Sequence, residues 1–361
     1  MSGHEPSPVG TARQPEPQQE HAYRQHRLGA SSPVGRRALL APVAAGLAIA
    51  AVFVTVFLAA LHAPKPHGLP LTVTGRPQAV AAVETGLDRQ MPGGFRVTSA
   101  ADPAAAVSAV RHRDTYATLD LSRPGTAHLT LAGANGSGVV QAVTSAATGV
   151  ATGLGDRLVV TDAAPLSAGD SRGLVIFYYV FGVGLSSFLF AMFFHQAASG
   201  ASLAVRVAVP LVFAAILGAG LTAVADAGFG ALSGHIWAVA GLSALLSYAV
   251  TLTTLALTRL LHTAGLAVAS LVFVIVGNAT SGGALNWHFL PGGWRWVSQL
   301  IPAGAGVTAL TDIQYFDARH LAPALLTLTA YCAISLLLVL TLPLLRLDAV
   351  HRRHHAEHAA R

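Results

Sequence analysis

Six stretches of the chain run without Asp, Glu, Lys or Arg, at positions 38–61, 174–194, 207–225, 235–257, 263–281 and 321–345. Each approaches or exceeds the roughly 20 residues that a helix needs to cross the apolar core of a bilayer, so the pattern predicts six membrane-spanning helices. The third and fifth are the shortest. Pro210 predicts a break near the start of one, and Asn278 places an amide near the end of the other.

The pattern changes between the first two runs, at 62–173, where charges are frequent and apolar runs short. Leu71 and Val73, then Phe95 and Val97, alternate as strands do, while Val80, Val83, Leu87 and Met91 keep helical spacing between them. Asp102 followed by Pro103 predicts an N-cap with proline in the first helical position, opening a short helix that buries Val107 and Val110. Ala117, Leu119 and Leu121 alternate, Ser122 to Gly125 turn the chain, and Ala127, Leu129 and Leu131 alternate back, which predicts a hairpin. A helix over 137–153 stacks Val139, Val143, Ala147 and Val150, and Leu158, Val159 and Val160 supply a last strand. The predicted order is βαβαββαβ, and about 110 residues suffice for one small core.

A third kind of pattern fills 286–317, NWHFLPGGWRWVSQLIPAGAGVTALTDIQYFD. Proline and glycine break it too often for a membrane helix, yet Trp, Leu and Ile make it too apolar for a solvated loop. Trp287, Trp294 and Trp296 suit the headgroup level, and Leu300, Ile301, Val307 and Leu310 are apolar enough to lie deeper. Irregular backbone at membrane depth survives only when buried in protein or lining a wet cavity. Two short re-entrant helices broken near Pro302 are therefore expected. They would form an outer gate, with Pro291, Trp294, Trp296, Pro302, Gly304 and Gly306 as its candidate residues. The competing reading is an interfacial loop that anchors the last span.

Composition agrees with the pattern: 53% of the 361 residues are hydrophobic, mean hydropathy is +0.56 and only 11% are charged, against about 25% in a soluble domain. The expected fold is a polytopic α-helical membrane protein of six transmembrane helices, with a small α/β extracytoplasmic domain between helices 1 and 2.

Sidedness follows from the arginines. Arg13, Arg24, Arg27, Arg36 and Arg37 precede the first run, Arg206 and Arg259 fall in the short loops after the second and fourth, and Arg346, Arg352, Arg353 and Arg361 follow the sixth, whereas 226–234 has no base. Both termini read as cytoplasmic, as an even number of spans requires, and the chain as a multi-pass plasma-membrane protein. Its parts are then a Pro-, Gln- and Ser-rich disordered tail at 1–37, a span at 38–61, the extracytoplasmic domain at 62–173, a five-helix membrane domain at 174–345 and a basic, His-rich tail at 346–361. Arg36-Arg37 before an apolar run also fits a signal peptide, but 24 apolar residues exceed the roughly 7–15 of a signal core, favouring a retained anchor.

Charge and motifs narrow the function classes. The formal charge of +6 resolves into the two tails, and 63–172 holds nine Lys and Arg against eight Asp and Glu, leaving no basic face for nucleic acid. Of 22 Lys and Arg only Lys65 is lysine, so the Gly-Lys-Ser/Thr of a phosphate loop is missing and ATP-driven work must come from a partner. Gly169 to Gly173 matches G-x-S-x-G, but a nucleophile elbow needs a preceding strand and a downstream Asp and His in the same sheet. The expectation is instead a junction cap in which Asp170 and Ser171, with Arg172 beside them, accept the first N–H groups of the second span. His351, His354, His355 and His358 could ligate a metal, His354 and His358 sharing a helical face. Set against that is a basic anchor on anionic lipid, and no Cys or carboxylate cluster completes a site. No catalytic residue, metal or cofactor is expected. Cys332 reads as a small apolar filler.

Within the spans, charges are nearly absent, which argues against a proton-coupled pump. Tyr178, Tyr179, Ser186 and Ser187 in the second, and Ser243, Ser247, Tyr248, Thr251, Thr253 and Thr254 in the fourth, read as helix-to-helix hydrogen-bonding groups.

One N-terminal span, an α/β domain of this size and five further spans with a broken Pro/Gly/Trp segment before the last resemble the permease subunit of ABC-2 type exporters, most of all the phage-infection-protein (Pip)-like branch in a short-ectodomain form. The likeness rests on DPAAAVSAVRHRDTYATLDL, on APLSAGDSRG, and on FLPGGWRWVSQLIPAGAGVTALTDIQYF with its Leu290-Pro291, Trp294, Trp296, Pro302 to Gly306 and Tyr315-Phe316. It extends over about residues 38–345. Where similar proteins often carry Arg after the small-residue run, this chain has Thr311-Asp312. The resemblance implies outward movement of a hydrophobic or amphipathic solute, lipid or peptide, homodimerisation, and a separate ABC ATPase docking on the run from His195 and Gln196 to Arg206. The alternative is a non-transporting envelope protein whose ectodomain is a partner- or phage-binding surface.

Overall fold

The computed structural model describes residues 36–198 and 200–359, with side chains described at 40–341 except 199. Residues 1–35 of the predicted tail lie outside that range. Of the histidine-rich tail only the backbone falls within it. The chain divides into two compact units, Met1–Val54 and Thr55–Arg361. In the first, helix α1 (Arg36–Leu61) begins, and its Leu40, Val43, Leu47 and Ile49 are exposed.

The second unit opens on the last turns of α1 and then builds the soluble domain from β1 (Leu69–Thr74), α2 (Pro77–Gln90), β2 (Phe95–Ala100), α3 (Pro103–Arg111), β3 (Ala117–Arg123), β4 (Thr126–Leu131), α4 (Ser137–Leu154) and β5 (Arg157–Asp162). This is the βαβαββαβ order that the alternation predicts. The sheet runs β2-β1-β3-β4-β5, parallel except for the β3–β4 hairpin.

Register explains the core. Val73 lies opposite Leu119, and Leu119 opposite Leu129, so one row of side chains crosses three strands and is buried throughout. Val83 and Leu87 of α2 and Val139, Val143 and Ala147 of α4 close over the same core. Each buried Val or Leu contributes about 1.5–3 kcal/mol. The predicted cap is present, Asp102 Oδ1 accepting the Ala104 N–H at 2.9 Å. On β3, burial raises the Asp120 pKa, but hydrogen bonds from Ser122 and Thr74 outweigh it and hold the carboxyl below its ordinary value.

The rest of the second unit is helical: α5 (Val175–Ala197), α6 (Leu203–Ala223), α7 (Ile236–Leu261), α8 (Thr263–Thr280), α9 (Gly292–Leu300), α10 (Pro302–Tyr315) and α11 (Leu321–Ala359). Among the described residues six helices, α1, α5, α6, α7, α8 and α11, are long and apolar enough to cross a membrane.

Some details depart from expectation. Pro210 sits inside α6 without breaking it; neighbouring helices and local adjustment let an apolar bundle absorb the lost N–H bond. Arg206 and Arg259 belong to the first turn of α6 and the last turn of α7 rather than to loops, where the Arg259 guanidinium donates to the Val339 carbonyl of α11 at 2.9 Å. The middle of α8, Ser270–Val276, is π-helical. Helix α11 runs on to Ala359, into the region expected to be a tail.

Helix α7 is the axis of the bundle, half of its most apolar window being buried. Polar groups tie its neighbours to it. Tyr179 Oη lies 2.9 Å from both Thr222 Oγ1 on α6 and Ser243 Oγ on α7. Ser187 donates to Ser247 at 2.8 Å, and Thr253 meets Ser335 of α11 at 2.8 Å. These side chains do the helix-to-helix work expected of them, each such bond contributing about 0.6 kcal/mol. Tyr178 instead is exposed.

Candidate functional site

Proline and its predecessor create the break between α9 and α10. Ile301 is extended at φ −89°, ψ 143°, as a residue before proline must be, and Pro302 then starts α10 in the first-turn position where its missing N–H costs nothing. The predicted pair of short helices is thus present. Pro302, Gly304 and Gly306 are buried. A Cβ on Gly304 would collide with the Ser298 carbonyl, and one on Gly306 would press Leu246 of α7 at 3.0 Å. These two glycines let α10 lie against α9 and α7 respectively.

The other candidate gate residues are not assembled with these three. Pro291 caps the start of α9. Trp294 packs with Trp287, Leu290 and the Phe57 and Ala60 end of α1, and Trp296 points away, 75% exposed. Leu300 is also exposed, whereas Ile301, Val307 and Leu310 are buried.

What the 286–317 segment does is grip the α/β domain at several points. Before α9, Phe289 is buried in the sheet-and-helix core formed by Leu69, Tyr116 and Val139. After α10, Phe316 is fully buried with Val110 and Ala132. Between these anchors, Arg113 Nη1 meets Asp312 Oδ1 at 2.6 Å, the two side chains being 9% and 0% exposed. Arg113 Nε donates to Asn135 Oδ1 at 3.2 Å, and its guanidinium lies 5.2 Å from the Phe316 ring centroid. Arg113 holds a left-handed backbone, φ +63°, a strained choice for a long side chain that persists only where its surroundings enforce it.

A second polar joint lies near Phe289. The His288 backbone N–H donates to Asn286 Oδ1 at 3.1 Å, Asn286 Nδ2 donates to the Asn135 carbonyl at 3.2 Å, and the His67 N–H donates to the His288 carbonyl at 2.9 Å. The His288 ring lies 3.8 Å from Trp287 and edge-on to Tyr116. Its Nδ1 is 3.2 Å from the His67 carbonyl, which makes that nitrogen the donor, because a carbonyl only accepts. Burial lowers the imidazole pKa to about 4; the His67 carbonyl opposes the shift, and Arg96, Arg295 and Arg113 add to it.

The junction between the soluble domain and α5 is only partly as expected. Both oxygens of buried Asp170 accept helix-start amides, Leu174 N at 3.0 Å and Val175 N at 3.2 Å. Ser171 and Arg172 are exposed, so the cap is Asp170 alone: the aspartate reaches two amides, and the short hydroxyl beside it faces outward. Ser167 Oγ donates to the Ala231 carbonyl at 2.9 Å, tying this junction to the loop after α6.

At the other end of α5, His195 and Gln196 lie in its last turn and Arg206 in the first turn of α6, where its Nε donates to the Ala201 carbonyl at 3.0 Å. Those three side chains therefore flank one short connection. Among the described residues no group of three or more His, Cys, Asp or Glu is placed to hold a metal ion.

Sequence reasoning missed Arg113, Asn135, His288 and Phe289. The one signal available was Asp312 itself, an acid in an otherwise apolar segment, which required a cation to be buried. Searches against protein-family models, curated proteins and solved structures find no match for the chain.

Proposed function

We propose that the chain is the permease-like subunit of an ABC-2 type exporter, moving a hydrophobic or amphipathic solute, lipid or peptide outward with energy from a separate ATPase. The observation that carries this reading is the buried Arg113–Asp312 pair, which fastens the soluble domain to a broken helix pair at one mouth of the helical bundle. A charged pair in such a place is a weak source of stability but a strong device for holding one arrangement, because removing either partner strands a buried charge.

In this reading α9 and α10 are the outer gate and the soluble domain is its lid. The distribution of arginines puts both termini, and the α5–α6 connection of His195, Gln196 and Arg206, on the cytoplasmic side. An ATPase docking there would push on α5, whose Val180 side chain fills the space a Cβ on Gly306 of α10 would take, 3.4 Å from that position. A path from energy source to gate then needs only one rigid helix. The protein acts as a homodimer, with the conducting path between copies.

The test is to purify the full-length protein from its native membranes after mild crosslinking and to measure efflux of amphipathic dyes from cells with and without it. An ATPase should copurify and efflux should fall on deletion. The double variant Arg113→Met with Asp312→Leu, which removes the charges but keeps the packing, should lose efflux when compared with the wild type at equal membrane abundance. Repeated purification without an ATPase, together with unchanged efflux, would sink the exporter reading and leave a surface-binding protein.

A further inference from the structure

A small polar cleft, about 40 Å³ in volume, lies where the soluble domain meets the helical bundle. Two glycine-rich backbone stretches line it, Gly136 to Gly138 at the start of α4 and Gly282 to Ala284 after α8. Helix α4 is 18 residues long and Gly136 provides no side-chain cap; Val139 and Val140 donate to the Gly136 carbonyl, which leaves the Ser137 and Gly138 amides, at the positive end of the helix dipole, beside this space.

An independent observation points to a ligand. Asn135 also lines the cleft, is only 4% exposed, and its Nδ2 has no partner among the described residues. Arg113 Nε donates to Asn135 Oδ1, which fixes the amide orientation and leaves the NH₂ as the unused end. A buried donor without an acceptor is costly, and the missing partner is an acceptor. Arg172 adds a positive charge to the lining, and no hydrogen bond or ion pair involves its side chain among the described residues. The one carboxylate lining the cleft, Asp170, is already occupied by the Leu174 and Val175 amides.

We propose that this cleft binds a phosphate group, held by Asn135 Nδ2, the α4 amides and Arg172. The chemistry is common to a phospholipid headgroup and to free phosphate, and it does not depend on whether the chain transports anything.

Two probes separate the sources. Inorganic phosphate is titrated against delipidated full-length protein and read by thermal shift. Protein is also held in phosphatidylglycerol nanodiscs, extracted in detergent and weighed intact for retained lipid. Stabilisation by phosphate identifies a free-anion site, whereas retained lipid identifies a headgroup site, and either supports the proposal. The variant Asn135→Asp keeps an oxygen toward Arg113 but puts a negative charge where the donor stands, and Arg172→Ala alters an exposed side chain. Both should weaken binding about tenfold or more. Binding of neither probe by the wild type, or unchanged binding in either variant, overturns the site. Should Asn135→Asp fail to fold, Arg172→Ala decides.

Discussion

The sheet of the soluble domain and the outer segment 286–317 both become buried, by different routes. In the sheet, Val73, Leu119 and Leu129 meet because alternation and a tight hairpin place them opposite one another, and the inner strands β1, β3 and β4 each pair with a neighbour on both sides. The outer segment has no ladder. Its irregular stretch is held by side chains reaching across the fold: Phe289 and Phe316 into the soluble domain, Asp312 to Arg113, and the His288 loop to His67. Local pattern builds the first region. The second is held by contacts to the first.

Breaking the long-range hold should have the largest effect. Asp312→Ala leaves Arg113 buried without its counter-charge and is expected to cost about 3–5 kcal/mol, whereas Arg113→Met with Asp312→Leu should cost much less or nothing, because an apolar pair of similar volume restores packing. Thermal unfolding of the two variants beside the wild type in one detergent checks this. A double variant as unstable as the single one would mean that shape, not charge, joins the two regions. Phe289→Ala should cost a similar amount, about 3–5 kcal/mol, and the same melts should show the outer segment loosening before the sheet.

Acid should separate the regions next. The His288 pKa is depressed from 6.5 to about 4, so the unfolded chain binds a proton that the folded chain refuses. Stability from this residue is fully present above pH 6.5 and is lost as pH falls toward 4, by roughly 3 kcal/mol in all. Melting the protein between pH 7.5 and 4.5, beside His288→Gln, should reveal a steeper acid loss in the wild type. Parallel slopes would remove His288 from the joint.

The smallest effect is expected inside the bundle. Tyr179→Phe removes one hydroxyl from the link between α5, α6 and α7 and should cost about 0.6 kcal/mol, since Thr222 and Ser243 each retain a backbone carbonyl partner, Gly218 and Val239. A loss several times larger would make that hydroxyl as important as the ion pair.

Much of this fold was legible in the sequence because its causes are local. The helix expected at 137–153 is Ser137–Leu154, and the break near Pro302 follows from what proline forbids in the residue before it. The Asp170 cap was legible for the same reason, four and five residues from the amides it accepts. The Ser171 part failed because a capping residue type says which hydroxyls are able to turn inward, not which one does.

Amino-acid order by itself determined six apolar helices, an α/β domain between the first two and a broken segment before the last, because hydrophobic period, chain length and proline geometry act over a few residues. Only the tertiary structure decided that Arg113 meets Asp312, 199 residues away, that Phe289 belongs to the core of a domain it does not follow in sequence, and that Asn135 keeps a donor free beside a cleft. Those pairings depend on how the sheet and the bundle dock, and burial of a charge or an aromatic ring demands a partner without naming it.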